Sequence, residues 1–211
     1  MNQRRFKTFV KPSRITINRK GSRFIGVGVS TETKGGLDRR REKLAEEFPK
    51  ATHIASASVI IESGRPVERY DNDGEPSGTA GEPMLDVISG EGLMNCAIFA
   101  VRYFGGTELG TGGLVRAYSD TARGVIETAK LVSRQERGRY RVSFPYSFTG
   151  RVAETLADFD GVEVTERAYG ERPELSLSVP LDDEEPLRGR LRESTSGSVE
   201  FAKIDGTNEG E

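Results

Sequence analysis

The sequence predicts an α+β protein built of two units, and three observations predict it. Strand-like alternation and helix-like periodicity are interspersed along residues 1–132. A polar run, Ser133 to Gly138 (SRQERG), interrupts the hydrophobic pattern. The pattern then restarts and spaces strand, helix, strand, strand, helix and strand within about 65 residues, the split βαβ plan of ferredoxin-like domains. The expected bounds are 1–132 for a first α/β unit, 139–204 for the ferredoxin-like one, and 205–211 for an acidic tail. The connector is expected to separate two independently packed bodies.

The elements follow in order. Thr8 to Thr16 reads as a strand broken by Pro12, after which Ile15 and Ile17 alternate with Thr16 and Asn18. Lys20-Gly21 turns the chain into a second strand, Phe24 to Val29. Gly35-Gly36 precedes a helix from Leu37 to Phe48, which Pro49 ends. Ala51 to Ile61 is small or apolar on both faces, which places it inside a sheet. Ser63 to Pro66 turns into a short strand, Val67 to Tyr70. Pro83 suits the first position of a helix that Ser89 to Gly92 stops. Asn95 to Tyr103 is a nearly continuous apolar run and reads as a central strand, and a helix spans Leu114 to Leu131. In the second unit, strands cover Tyr140 to Tyr146, Val162 to Tyr169, Glu174 to Val179 and Ser198 to Ile204. The helices there, Thr149 to Phe159 and Asp182 to Glu193, begin on the capping residues Thr149 and Asp182.

The rare residues narrow the chemistry. The 211 residues are 35% hydrophobic and 30% charged, too apolar for a disordered chain. No run approaches the roughly 18 apolar residues of a membrane span. The basic N-terminus lacks the apolar core of a signal peptide. One cysteine, Cys96, permits no intrachain disulfide and fits a reducing compartment, so a cytoplasmic location is expected. One histidine, His53, excludes cysteine-rich and multi-histidine zinc sites within the chain. It is also the only ring for a Ser-His-Asp or Cys-His device, and it reads more simply as a strand residue. Any metal site would be built from carboxylates, which suit magnesium or calcium.

Charge is uneven. Residues 1–138 hold 22 Lys and Arg against 17 Asp and Glu, and residues 139–211 hold nine against 16. Met1 to Arg23 carries eight basic residues and no acidic one. A basic half joined to an acidic half suits two units with different partners.

Two segments concentrate what a site needs. Residues 71–81, DNDGEPSGTAG, bring Asp73, Glu75, Ser77 and Thr79 together. Closely spaced acids repel unless solvated or bridged by a cation, although the terminal glutamate of a calcium loop is missing. Residues 102–116, RYFGGTELGTGGLVR, place Gly105, Gly106, Gly110, Gly112 and Gly113 between a buried strand and a helix N-terminus. Glycines let backbone approach a ligand, and the first helical amides attract anions, so with Arg102 and Arg116 the segment forms a candidate anion pocket. It contains neither GxGxxG after a strand nor a Walker loop. Both segments follow a strand and lead into a helix, so they are expected to face each other.

These same segments carry a resemblance. DNDGEPSGTAGEPML and VRYFGGTELGTGGLVRAY resemble the YigZ/IMPACT family pattern, DDGEPSGTAG followed after a helix by TRYFGG-x-LG-x-GGLVRAY. Ser22-Arg23-Phe24-Ile25 is similar to the family's SRFI element and Ala51-Thr52-His53 to its ATH element. The chain departs from the pattern in Ile54-Ala55-Ser56-Ala57, where the family continues with Asn-Cys and aromatics, and mildly at Asn72, where Asp or another polar residue is common. The resemblance implies a first domain like the second domain of a small-subunit ribosomal protein, and a second like the last domain of elongation factor G. It also implies an assignment to translation. Eukaryotic relatives restrain a starvation-responsive kinase by competing for its activator, through chains with an additional domain.

The expected function is therefore a translation-associated regulatory protein that binds RNA, the ribosome or a ribosome-bound factor, with no catalytic residues, cofactor, membrane or DNA partner. The alternative is an enzyme or small-ligand binder acting on a phosphorylated compound, with Asp73 and Glu75 holding a cation or acting as base. An invaginated site joining the two loops would favour the enzyme, and a flat basic face would favour RNA. Oligomeric state stays open.

Overall fold

The fold positions both loops at one end of a sheet, and the strand register explains how. The computed structural model describes residues 5–62 and 64–204. Packing divides the chain into one unit from Phe6 to Arg134 and another that takes in the chain from Gln135 onward.

The first unit opens with β1 (Arg5–Phe9), β2 (Ser13–Arg19) and β3 (Ser22–Ser30), then α1 (Lys34–Glu47), β4 (His53–Glu62) and β5 (Arg65–Asp71). It continues with α2 (Gly81–Gly90), β6 (Cys96–Tyr103), α3 (Thr111–Thr128) and β7 (Leu131–Gln135). Five strands form one sheet in the order β2-β3-β6-β4-β5, with every neighbouring pair antiparallel. The apolar run of β6 is its middle strand, and β4 lies inside it, as their two-sided apolar patterns require. On one face Phe24, Ala55, Ala57, Ile98 and Ala100 pack against Met84 and Ile88 of α2 and Leu114, Tyr118 and Val125 of α3. On the other, Ile25, Val27, Ile54, Phe99 and Val101 pack against Leu44, Leu37 and Phe48 of α1. Pro12 separates β2 from β1, which pairs instead with β7 in a two-stranded sheet.

The second unit contains β8 (Arg137–Ser143), a 3₁₀ turn (Tyr146–Phe148), α4 (Thr149–Ala157), β9 (Glu163–Tyr169), β10 (Pro173–Pro180), α5 (Glu184–Ser194) and β11 (Glu200–Lys203). Its antiparallel sheet runs β11-β8-β10-β9, so the fourth strand lies beside the first, the ferredoxin-like order. The core joins Tyr140, Val142 and Phe144 to Leu177, Val179, Val152, Leu187 and Leu191. The fold class is α+β, as expected.

Several local expectations are corrected. The connector Ser133 to Gly138 is not a polar link, since β7 and β8 occupy it with only Glu136 between them. Strand pairing overrides its polar composition. Packing groups the chain up to Arg134 with the first unit. Gly35 and Gly36 lie inside α1, because Thr33 caps it by accepting from the Gly36 amide at 3.0 Å. Pro83 is the third residue of α2, not the first. Thr149 donates to the Tyr146 carbonyl (2.8 Å) instead of capping α4, and Asp183, not Asp182, precedes α5. Met1 to Arg4 of the basic stretch, Ser63 of the expected turn and the 205–211 tail lie outside the described residues. Among the described residues, no helix is long and apolar enough to cross a membrane.

Candidate functional site

Antiparallel pairing sets Phe24, Arg102 and His53 side by side across β3, β6 and β4, on the face that α2 and α3 cover. They lie at the sheet end where β2, β5 and β6 finish and β3 and β4 begin. The 72–80 and 104–110 loops both leave from this end, so the expected shared location holds at the level of topology.

The acidic loop is held from within. Arg41 of α1 bridges Asp71 Oδ2 and Asp73 Oδ1, the second at 2.6 Å. Asp73 Oδ2 accepts from the Ile54 amide (2.6 Å), and Asp71 Oδ1 accepts from the Asp73 amide (2.8 Å). Burial pushes the Asp71 carboxyl up, but that amide and the Arg41 guanidinium outweigh it and hold the group below its usual value. The same pairing raises Arg41 against the effect of its burial. Asn72 Oδ1 accepts from the Gly81 amide (2.7 Å) and so ties the loop to the start of α2. Gly81 is required there: a Cβ would stand 2.9 Å from Tyr70 Cβ and 3.1 Å from the Asp71 backbone. Thr79 is buried and donates to the Pro76 carbonyl (2.6 Å), whereas Ser77 is exposed.

Glu75 is the centre of the cluster. Its side chain is 3% exposed, and Oε1 accepts from Arg102 Nη1 (2.5 Å) and from the Tyr118 hydroxyl (2.7 Å). Arg102 is nearly as buried, and its guanidinium lies 5.5 Å from the Phe24 ring and 5.6 Å from the Phe104 ring. Its Nε is buried without a hydrogen-bond partner, and the two ring faces offset part of that cost. Phe24 meets Tyr118 edge to face at 5.2 Å. Burial, with the Glu75 carboxylate adding to it, drives the Tyr118 hydroxyl far above its usual value, so it stays a donor. His53 Nδ1 donates to the Asp73 carbonyl (2.6 Å), since a carbonyl can only accept. Its Nε2 lies 3.9 Å from Glu75 Oε1.

The glycine loop differs from expectation. Gly112 and Gly113 belong to the first turn of α3, which starts at Thr111 with Gly110 as its cap residue. Gly106 and Gly110 face open space. Gly105 is a contact glycine: a Cβ there would fall 2.0 Å from the Gly21 carbonyl carbon. Its amide donates to Ser22 Oγ (3.2 Å), and the Phe104 amide donates to Thr52 Oγ1 (3.0 Å). Arg116 is exposed and forms no ion pair among the described residues. The structure thus joins Glu75 to Arg102 and leaves Arg116 apart from Asp73 and Glu75, whose arginine partners are Arg41 and Arg102. Arg41, His53 and Tyr118 complete the cluster and were not among the expected site residues. Tyr118 was legible as an inward helix residue and as the last residue of the family-like GGLVRAY stretch, and Arg41 as one of three consecutive arginines.

A cleft of about 510 Å³ lies between α2 and α3. Glu82, Asp86 and Glu91 line it opposite Arg123, and no residue of the 102–113 segment does. Burial raises the Glu82 carboxyl, yet hydrogen bonds from its own backbone, Asn72, Tyr70 and Gly78 leave it lowered.

Comparison with known proteins decides the family. The family model for the Impact N-terminal domain matches residues 20–126. The chain belongs to the IMPACT family. An IMPACT family member of Haemophilus influenzae is 35% identical over 190 residues, covering 85% of this chain and 87% of that one. The IMPACT family member YvyE of Bacillus subtilis is 31% identical over 180 residues, covering 85% and 82%. A crystal structure described as that of a hypothetical protein aligns with a TM-score of 0.70 at 26% identity, over 95% of this chain and 97% of the other. IMPACT membership therefore extends across both units, while the matched domain model contains the whole Glu75–Arg102–Tyr118 cluster.

Proposed function

We propose that this IMPACT family protein is a translation-associated binding protein whose first unit engages RNA or a ribosome-bound factor. One observation carries the reading. At the sheet end Lys20, Arg23, Lys50 and Arg116 are exposed and free of ion pairs among the described residues and outnumber the exposed Glu108, whereas Asp71, Asp73 and Glu75 are already matched by Arg41 and Arg102. Such an end is attractive to a polyanion. The α2–α3 cleft fits a phosphorylated small molecule poorly, because carboxylates line it and the glycine loop does not reach it. The Glu75–Arg102–Tyr118 cluster then serves to hold rigid the loops that frame the basic end.

Sedimentation with purified ribosomes tests the reading. The full chain is expected to pellet at about 50 mM salt and to be released at about 500 mM, since each neutralised phosphate steepens the salt dependence. A variant combining Lys20→Ala, Arg23→Ala and Lys50→Ala is expected to stay in the supernatant. A wild type that never pellets, or a triple variant that pellets equally, overturns the proposal.

A further inference from the structure

We infer that the same sheet end is a stacking platform for an unpaired RNA strand, with Phe104 and the Arg23 guanidinium plane offered to bases and Lys20 and Lys50 to phosphates. The inference rests on the binding reading above and names its ligand and surface. The parts share one sheet end, with Arg23 over Tyr103 on the face toward α1 and Phe104 beside Arg102 on the face toward α2 and α3. Lys20 and Gly21 form the two-residue hairpin between β2 and β3, with φ of 45° and 81°, the positive pair of a tight primed turn. That hairpin abuts Gly105 so closely that neither glycine has room for a Cβ. The next residue but one along the chain, Arg23, stacks over Tyr103 at 4.4 Å, so its guanidinium lies on the ring. Thr52 holds the Phe104 amide, which brings the Pro49–Thr52 turn with Lys50 to the same end.

Phe104 is unusual for a loop residue. It is 48% exposed, although the Arg102 guanidinium lies 5.6 Å from its ring centre. A half-exposed aromatic ring beside a buried cation can receive a base on its solvent face. The planar Arg23 guanidinium offers a second such surface. A duplex keeps its base faces stacked on each other and cannot use either. An acidic protein segment would use the lysines and leave the rings idle. One exposed ring and a stacked guanidinium plane among unpaired cations therefore favour single-stranded nucleic acid, and the translation setting makes it RNA.

Fluorescence anisotropy with the full chain tests this, using a labelled oligouridylate of about 12 nucleotides, within the usual span of single-strand sites. Controls are an RNA duplex of equal length, the matching DNA strand and an oligoglutamate peptide. The RNA strand is expected to bind at least about ten-fold tighter than duplex or peptide. Phe104→Ala is expected to weaken it about ten-fold, and Phe104→Trp, which keeps a ring over Arg102, to restore it. Lys20→Ala with Lys50→Ala should lower the log–log salt slope by about 1.4, near 0.7 for each phosphate no longer neutralised. Equal binding of duplex or peptide, tighter binding of DNA, or indifference to Phe104→Ala with retained melting temperature each overturns the inference. If ribosomes still pellet the Phe104→Ala variant while oligouridylate does not bind wild type, only this inference fails. If wild type neither pellets nor binds, both readings fail.

Discussion

The two loops at the sheet end obey opposite rules. The 72–80 loop is rich in charge, and its carboxylates are consumed internally: Asp73 by Arg41 and the Ile54 amide, Glu75 by Arg102 and Tyr118. The 104–110 loop carries a single charged side chain, Glu108, and is held chiefly by backbone amides of Phe104 and Gly105 on the hydroxyls of Thr52 and Ser22. Charge density in a sequence therefore points to internal fastening in the first loop, while the plainer second loop is fastened through its backbone. A buried ion is stable only where its partners are supplied within the fold.

The largest effect expected from breaking this contrast is at Glu75. Glu75→Ala leaves Arg102 buried without its carboxylate and should cost about 3–5 kcal/mol. Thermal or urea unfolding of the variant measures it, and a change below about 1 kcal/mol would mean that the cluster does not hold the loop. Tyr118→Phe keeps the ring against Phe24 and removes only the hydroxyl that donates to Glu75, so about 1.5–3 kcal/mol is expected. Adding Glu75→Gln to that variant should shrink the hydroxyl's effect, because the charge it serves is gone, and a double-mutant cycle reads the difference.

Asp71 sharpens the comparison through pH. Its folded pKa is depressed, so its contribution to stability is present above the unfolded value of about 3.9 and is lost as pH falls through the lower folded value. Arg41→Ala removes much of that depression. The variant should accordingly lose less stability than wild type between about pH 5 and pH 3, while being the less stable of the two near neutrality. Both side chains are partly exposed, at 34% for Arg41 and 45% for Asp71, so the difference is expected to be small. Smallest of all is Arg116→Ala. The residue is exposed and unpaired, so the melting temperature should correspond to less than about 0.5 kcal/mol of change. Ribosome retention at low salt is where its loss should register. A large loss of stability with unchanged retention would sink any anion-binding role for it.

Much of the architecture was legible because it depends on local pattern. The two-sided apolar character of Ala51 to Ile61 and of Asn95 to Tyr103 can be met only inside a sheet, and both strands lie there. The restart after Gly138 reads directly as βαββαβ, because short alternating strands and amphipathic helices follow one another with turn residues between. The connector misled because SRQERG is polar on both sides, and a strand in a two-stranded sheet needs little apolar content when its neighbour supplies the hydrogen bonds. Helix starts misled at Gly35 and Gly112, where a capping threonine and a positive-φ glycine set the first turn ahead of the apolar stripe.

The site divides along the same line. Residue types and spacing along the chain marked the acidic loop, the glycine loop and Arg102, which lie at one end of the sheet. Which cation meets which carboxylate was settled only in three dimensions. Arg116 stands as near to the glycines in the chain as Arg102 does, yet Arg102 and Arg41 took the partners, because the β6 register and the α1 crossing bring those two guanidinium groups within hydrogen-bonding distance. His53 and Tyr118 joined for the same reason: they are 20 residues from Asp73 and 43 from Glu75 along the chain, and in contact through the sheet and α3. Periodicity reports which face of an element is buried, but a charge pair depends on the distance between faces, and that distance exists only after the sheet has closed.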